Sequence, residues 1–351
     1  MADRTEASLG FFLAGIAVAT ALGTWPAEPP RLLALGASVV ATLAFLAGRY
    51  DRLDRRRTAP VAAIGSLGTA GGGFAGVGAG GDVFLPGVAA GAGVLAVAAA
   101  WADWRAIGRD RLLSQVRLAT TGAAVGVAGI AAIFVWAGVL GGIVGLESLS
   151  PVAGQILSTV ALGAGTLTVA AAYLAMTGLD RSYIDARVPT RHEWGYVAGG
   201  TVLLLGANLA ISALFGWLGV ESTTHSIVRA ARDSPEILLV LVPLSYLVVG
   251  PGEELLYRNV VQKSLREEFS GAGAVAVASV VFAAVHLPAY ADPNASTLAL
   301  LNTLTIVFVL SLILGSVYER TGNLTVSALV HGSFNAVAFA VTYAEITGLI
   351  G

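Results

Sequence analysis

The chain of 351 residues contains no cysteine, which excludes disulfides, thiolate metal sites and a cysteine nucleophile. Charge is also scarce: 12% of residues are charged against 56% hydrophobic, about half the charged fraction of an ordinary soluble domain. The apolar runs are too long for soluble core helices, so the composition is that of a polytopic membrane protein. A net charge of −2 gives no general attraction for nucleic acid, and no such partner is expected. The Gly-rich tract from Gly65 to Gly93 has no Gly-Lys-Ser/Thr after it and no strand before it, so it lacks the signature of a phosphate-binding loop. Close helix packing through small residues is the expectation there.

What the chain does have is hydrophobic runs of membrane length. Eleven are read (range nine to eleven), near 8–25, 31–48, 59–80, 84–101, 118–141, 154–177, 195–218, 236–257, 272–289, 297–317 and 324–349. The expected fold class is therefore all-α and polytopic, with about eleven transmembrane helices. The first run, Ser8 to Trp25, lacks a clean small-x-small cleavage site after it and is read as a retained span. A short turn around Asp82 leaves spans three and four open to a broken or re-entrant arrangement. With a cytoplasmic N-terminus, 17 of the 20 basic residues, from Arg4 to Arg320, fall inside, and only Arg31, Arg229 and Arg232 fall outside. That bias supports the span count and places the C-terminus on the external side.

The basic loop from Leu179 to Trp194 divides the chain into residues 1–190, Gly- and Ala-rich and of unassigned role, and residues 195–350. In the second part the intramembrane polar residues gather as pairs: Glu254 with Arg258, Phe282 with His286, and His331 with Asn335. The i, i+4 spacing puts both members of each pair on one helix face. At 1.5 Å per residue, Glu253 and Glu254 lie about 18–20 Å inside the inner boundary and His286 about 21 Å along its span. His331 and Asn335 lie about 10 and 16 Å inside Leu324, so all are within reach of one plane. An ionisable side chain in hydrocarbon costs at least about 2.5–3.5 kcal/mol, and such a cluster points to an intramembrane catalytic site.

Glu253-Glu254-x-x-x-Arg258, Phe282-x-x-x-His286 and His331-x-x-x-Asn335, in that order on separate spans, resemble the three motifs of the CPBP family of intramembrane proteases. That family includes the type II CAAX prenyl endopeptidases and bacteriocin-processing or immunity-associated members. Tyr318-Glu319-Arg320-Thr321-Gly322-Asn323, leading into the third motif, fits as well. The resemblance covers roughly residues 235–345, and implies that 195–350 is a protease domain with its motifs at 253–335.

Peptide hydrolysis needs a base for water, a donor for the oxyanion and a proton for the leaving amine. By resemblance, Glu253 activates water with the help of His286, and His331 and Asn335 stabilise the oxyanion. Glu254 and Arg258 are expected to pair one turn apart in support, and Phe282 to pack as a wall of the water pocket. The expected substrate is a membrane-associated peptide or protein, prenylated if of CAAX type. No cofactor is favoured. A zinc version would use His286, His331 and a Glu, but the His-Glu-x-x-His helix is absent and Asn is a poor zinc ligand. A transporter and a non-catalytic scaffold are the remaining alternatives. His192 and His225 are read as loop surface residues, and Asp292 and Asn302 have no evident partner.

Overall fold

The computed structural model describes residues 5–79, 84–145, 149–292 and 294–350. Arg4 and Asp82, on which parts of the topology reading rest, lie outside the described residues. The described chain is helical throughout: α1 (Thr5–Ala21), α2 (Glu28–Arg49), α3 (Arg55–Gly78), α4 (Phe84–Arg105), α5 (Arg109–Val144), α6 (Pro151–Thr177), α7 (Arg191–Trp217), α8 (Ser226–Ala231), α9 (Glu236–Leu265), α10 (Gly271–Val285), α11 (Leu287–Tyr290), α12 (Thr297–Thr321) and α13 (Leu324–Ile346). Among the described residues, nine helices are long and apolar enough to cross a membrane. The expected first and ninth spans correspond to α1 and α10, which are apolar but shorter at 17 and 15 residues. The protein is thus an integral, multi-pass membrane protein. Its ninth span breaks at His286 because Pro288 lacks an amide donor, and α11 continues beyond the break.

The chain forms two compact units, Met1–Val116 with Ser296–Leu298, and Arg117–Ala295 with Ala299–Gly351. The sequence expectation put the divide near Leu179–Trp194; packing puts it before most of α5, so α6 and the bulk of α5 belong with the later helices. The reason is visible in α5 and α6. A Cβ on Gly126 would meet Val281 at 2.8 Å, one on Gly129 would meet Leu256 at 2.6 Å, and one on Gly165 would meet the Ile133 backbone nitrogen at 2.7 Å. Small residues on these helices therefore admit the side chains of α9 and α10.

The first unit is built on the same device. Gly65 and Gly72 of α3 face the backbone of α2, with Cβ positions 2.8 Å from the Ala37 oxygen and 2.7 Å from the Ala34 nitrogen. Gly93 of α4 faces α3 in the same way, 2.6 Å from the Ala70 nitrogen and 2.8 Å from the Ser66 oxygen. Gly65, Gly72 and Gly93 are accordingly packing positions, as expected for that tract.

In the second unit, connections gather by side. At one end Lys263 binds Asp185, the Arg187 amide donates to Asn323, and Arg266 pairs with Glu319. At the other end Arg229 lies 3.9 Å from Asp292, and Asn302 donates to the Glu221 carbonyl and the Ser222 hydroxyl at 2.9 Å. Asp292 and Asn302, unpartnered in the sequence reading, therefore tie the α7–α9 connection to α12 and to the chain after α11. Because contacts at Gly93 are to backbone, Gly93→Val should destabilise the first unit by about 1–3 kcal/mol. Gly91→Val, which meets nothing within 4 Å, should be tolerated; equal thermal stability of the two variants in detergent would refute this packing account.

Candidate active site

The helix carrying the two glutamates is irregular where they sit. Pro243 and Pro251 lack amide donors, and α9 widens into π turns at Ser245–Val249 and Leu255–Gln262 around an α turn at Gly250–Glu254. Such π segments concentrate at functional sites. Two glycines then allow α13 to come close: a Cβ on Gly250 would lie 2.6 Å from the Ala328 oxygen, and one on Gly332 would lie 2.9 Å from the Ser245 oxygen. A side chain at either position would push His331 away from α9.

Glu254 and Arg258 are completely buried. Arg258 Nε donates to Glu254 Oε2 at 3.0 Å, and its Nη1 donates to Ser311 Oγ at 3.0 Å. The Ser327 hydroxyl donates to the same carboxylate oxygen, while His331 Nδ1 donates to Oε1 at 3.1 Å. One carboxylate thereby joins α9 to α13 directly and to α12 through Arg258. The guanidinium carbon also lies 4.8 Å from the centroid of the Phe282 ring, an additional attraction that grows when desolvated.

Glu253 differs from its neighbour. Its Oε2 is buried with no hydrogen-bond partner among the described residues, 3.8 Å from His286 Nε2 and 3.9 Å from His331 Nε2. These separations are too long for direct hydrogen bonds and suit an oxygen atom held between the groups. His286 occupies the break after α10 with φ −81° and ψ −8°, a backbone region frequent at active sites. Its Nδ1 donates to the Phe282 carbonyl at 2.7 Å, which turns Nε2 toward Glu253. Phe282 holds the group together, with ring centroids 4.3 Å from His286, 5.1 Å from Tyr257 and 6.1 Å from His331.

Of the residues singled out in the sequence, Glu253, Glu254, Arg258, Phe282, His286 and His331 come together. Asn335 is one turn beyond His331 on the same face of α13, partly exposed, and makes no hydrogen bond within the described residues. Ser311 and Ser327 were missed. Ser327 carried a readable signal, standing one turn before His331; Ser311 carried none. His192 is exposed as expected. His225 is not a free surface residue: its Nδ1 accepts from the Ile227 amide at 3.1 Å to cap α8, and its ring stands edge-on to Tyr290 at 4.9 Å. Burial, then the charges of His286 and Arg229, push its imidazole down to about 4, which keeps Nδ1 free to accept at neutral pH.

Residues 235–337 match the family model described as type II CAAX prenyl endopeptidase Rce1-like. No curated protein and no solved structure gives a match. The matched segment contains α9 through the first half of α13, and with it every side chain that meets around Glu253 and Glu254. Residues 235–337 accordingly carry an Rce1-like type II CAAX prenyl endopeptidase domain, which lies in the helices that build this site.

Proposed function

We propose that this intramembrane protease hydrolyses a peptide bond of a membrane-associated substrate, of which a prenylated CAAX-type chain is one kind, with Glu253 as general base. The observation that carries the proposal is the unpartnered, buried Oε2 of Glu253 facing two imidazole nitrogens at 3.8 and 3.9 Å. A water there donates one hydrogen to Glu253 and the other to His286 Nε2, which leaves an oxygen lone pair directed at a carbonyl carbon. Glu253 takes the proton as the oxygen attacks and delivers it to the leaving amine.

His331 and Asn335 receive the oxyanion in this scheme. His331 already uses Nδ1 on Glu254, so donation from Nε2 requires the doubly protonated ring. Glu253, Glu254, Arg258 and that imidazolium then balance to zero charge, an arrangement suited to hydrocarbon. Glu254 and Arg258 act on the reaction only by fixing His331 and the turn that carries Glu253.

The donor spacing supports a metal-free reaction over the zinc alternative. Zinc bonds of about 2.0–2.1 Å in a tetrahedron place donor atoms about 3.3 Å apart, closer than the separations at Glu253. Orientation follows from the basic residues: we place the end bearing Asp185, Lys263 and Arg266 in the cytoplasm, with the N-terminus, and the C-terminus outside.

Purified Glu253→Gln and His286→Ala proteins should lose turnover by about 10²–10⁴-fold while unfolding like the wild type. Asn335→Ala should lower kcat by about 10²–10³-fold with little change in KM. Glu254→Ala leaves Arg258 buried without its carboxylate and should cost about 3–5 kcal/mol of stability, read as a lower melting temperature. Normal turnover by Glu253→Gln removes the mechanism. Exhaustive chelation tests the second point: activity should survive it, and purified protein should hold far less than one equivalent of zinc. Stoichiometric zinc whose removal reversibly stops turnover would decide for the metal-dependent reaction.

A further inference from the structure

The segment between α6 and α7 is held to the site helices by a pattern of backbone hydrogen bonds. Asn259, completely buried one residue after Arg258, uses both ends of its amide: Oδ1 accepts from the Asp185 amide at 2.8 Å and Nδ2 donates to the Tyr183 carbonyl at 3.2 Å. The Asp185 carbonyl accepts from the Leu324 amide at 2.9 Å, and the Arg187 amide donates to Asn323 Oδ1 at 3.3 Å. Lys263 and Tyr318 hold the Asp185 carboxylate at 2.8 and 2.6 Å. The backbone is extended at Ile184, with φ −82° and ψ 112°. In an extended chain the N–H and C=O of alternate residues point to one edge. Residues 185 and 187 face the protein; the Ala186 N–H and C=O and the Val188 N–H belong to the other edge. These groups bond nothing among the described residues, and Ala186 and Val188 are exposed.

Two helices fix how far this edge lies from the chemistry. Asn323, Ser327 and His331 follow one another at i, i+4 on α13, touching the segment, Glu254 and the Glu253 gap in turn. Asn323 to His331 is two turns, about 12 Å at 1.5 Å per residue, and Glu253 to Asn259 along α9 is about 9 Å. Three or four extended residues span about 10–13 Å.

We propose that Ala186–Val188 is a docking edge for the substrate's main chain, which lies beside it in extended form while its scissile bond, three or four residues away, reaches Glu253. The proposal rests on the endopeptidase reading and adds how the peptide is held: by strand pairing, with specificity left to its side chains. The anchoring by Asn259, Asn323, Lys263 and Tyr318 keeps the edge rigid before the peptide arrives, which reduces the ordering cost of binding.

The test is an N-methyl scan along an S-farnesylated peptide carrying a CAAX box and four upstream residues, in nanodiscs. Cleavage is followed with wild-type protein and binding with Glu253→Gln. Methylation should weaken both about tenfold at every second residue, the loss of one hydrogen bond, and leave the residues between unaffected. Ala186→Pro, which removes an edge N–H, should raise KM about tenfold with kcat unchanged. Cleavage with a flat scan overturns the edge and leaves the protease reading standing. Period-two binding without wild-type cleavage overturns the protease reading and keeps the edge; absence of binding to Glu253→Gln overturns the edge as well.

Discussion

A carboxylate and a guanidinium, both fully buried, face each other at 3.0 Å between Glu254 and Arg258, and the rest of the site is assembled around them. In water such a pair contributes little; away from water each member is costly unless the other is present with enough hydrogen bonds to saturate both. Ser311 supplies one from α12, and Ser327 and His331 supply two from α13. Three helices are therefore held by one charge pair, and moving any of them would strip further hydrogen bonds from a guanidinium whose buried Nη2 already has none among the described residues. Because His331 is one of the donors to Glu254, the contact that stabilises the bundle also orients an imidazole toward Glu253.

The adjacent glutamates thus differ in how fully the protein engages them. Both carboxylate oxygens of Glu254 accept hydrogen bonds, whereas Glu253 keeps a buried oxygen with no hydrogen-bond partner among the described residues. The π turns on both sides of Gly250–Glu254 and the close crossing at Gly250 and Gly332 let one helix present two successive carboxylates in such different roles. Phe282 adds an apolar wall that touches the charge pair on one side and His286 on the other, limiting how far either can swing.

Much of this was legible in the sequence because helices have a fixed period. Glu254 with Arg258, and His331 with Asn335, share faces by spacing alone, and rise per residue placed the motifs at a common depth. The helix period also contained Ser327, one turn before His331, a signal that was readable but passed over. Ser311, Asn259 and Asp185 were not legible, since their roles arise from pairings across 53 or more residues of chain. The compact units follow a different line from the boundary read in the loop charges, for a related reason. Hydropathy marks where helices are, but the glycines at 126, 129 and 165 decide which helices pack together, and a glycine does not name its neighbour. His225 looked like a loop residue because capping and ring stacking depend on α8 and Tyr290 being brought to it.

The central claim is that Glu253 makes this membrane protein an endopeptidase. It is tested most directly by comparing the peptide termini of membrane-associated proteins in cells carrying wild-type protein with those in cells carrying Glu253→Ala at equal abundance. The account predicts a defined set of new termini that is present with wild type and lost with Glu253→Ala, with the uncleaved precursors accumulating in the membrane. Identical termini in the two cell populations, with the wild-type protein folded and inserted, would contradict it.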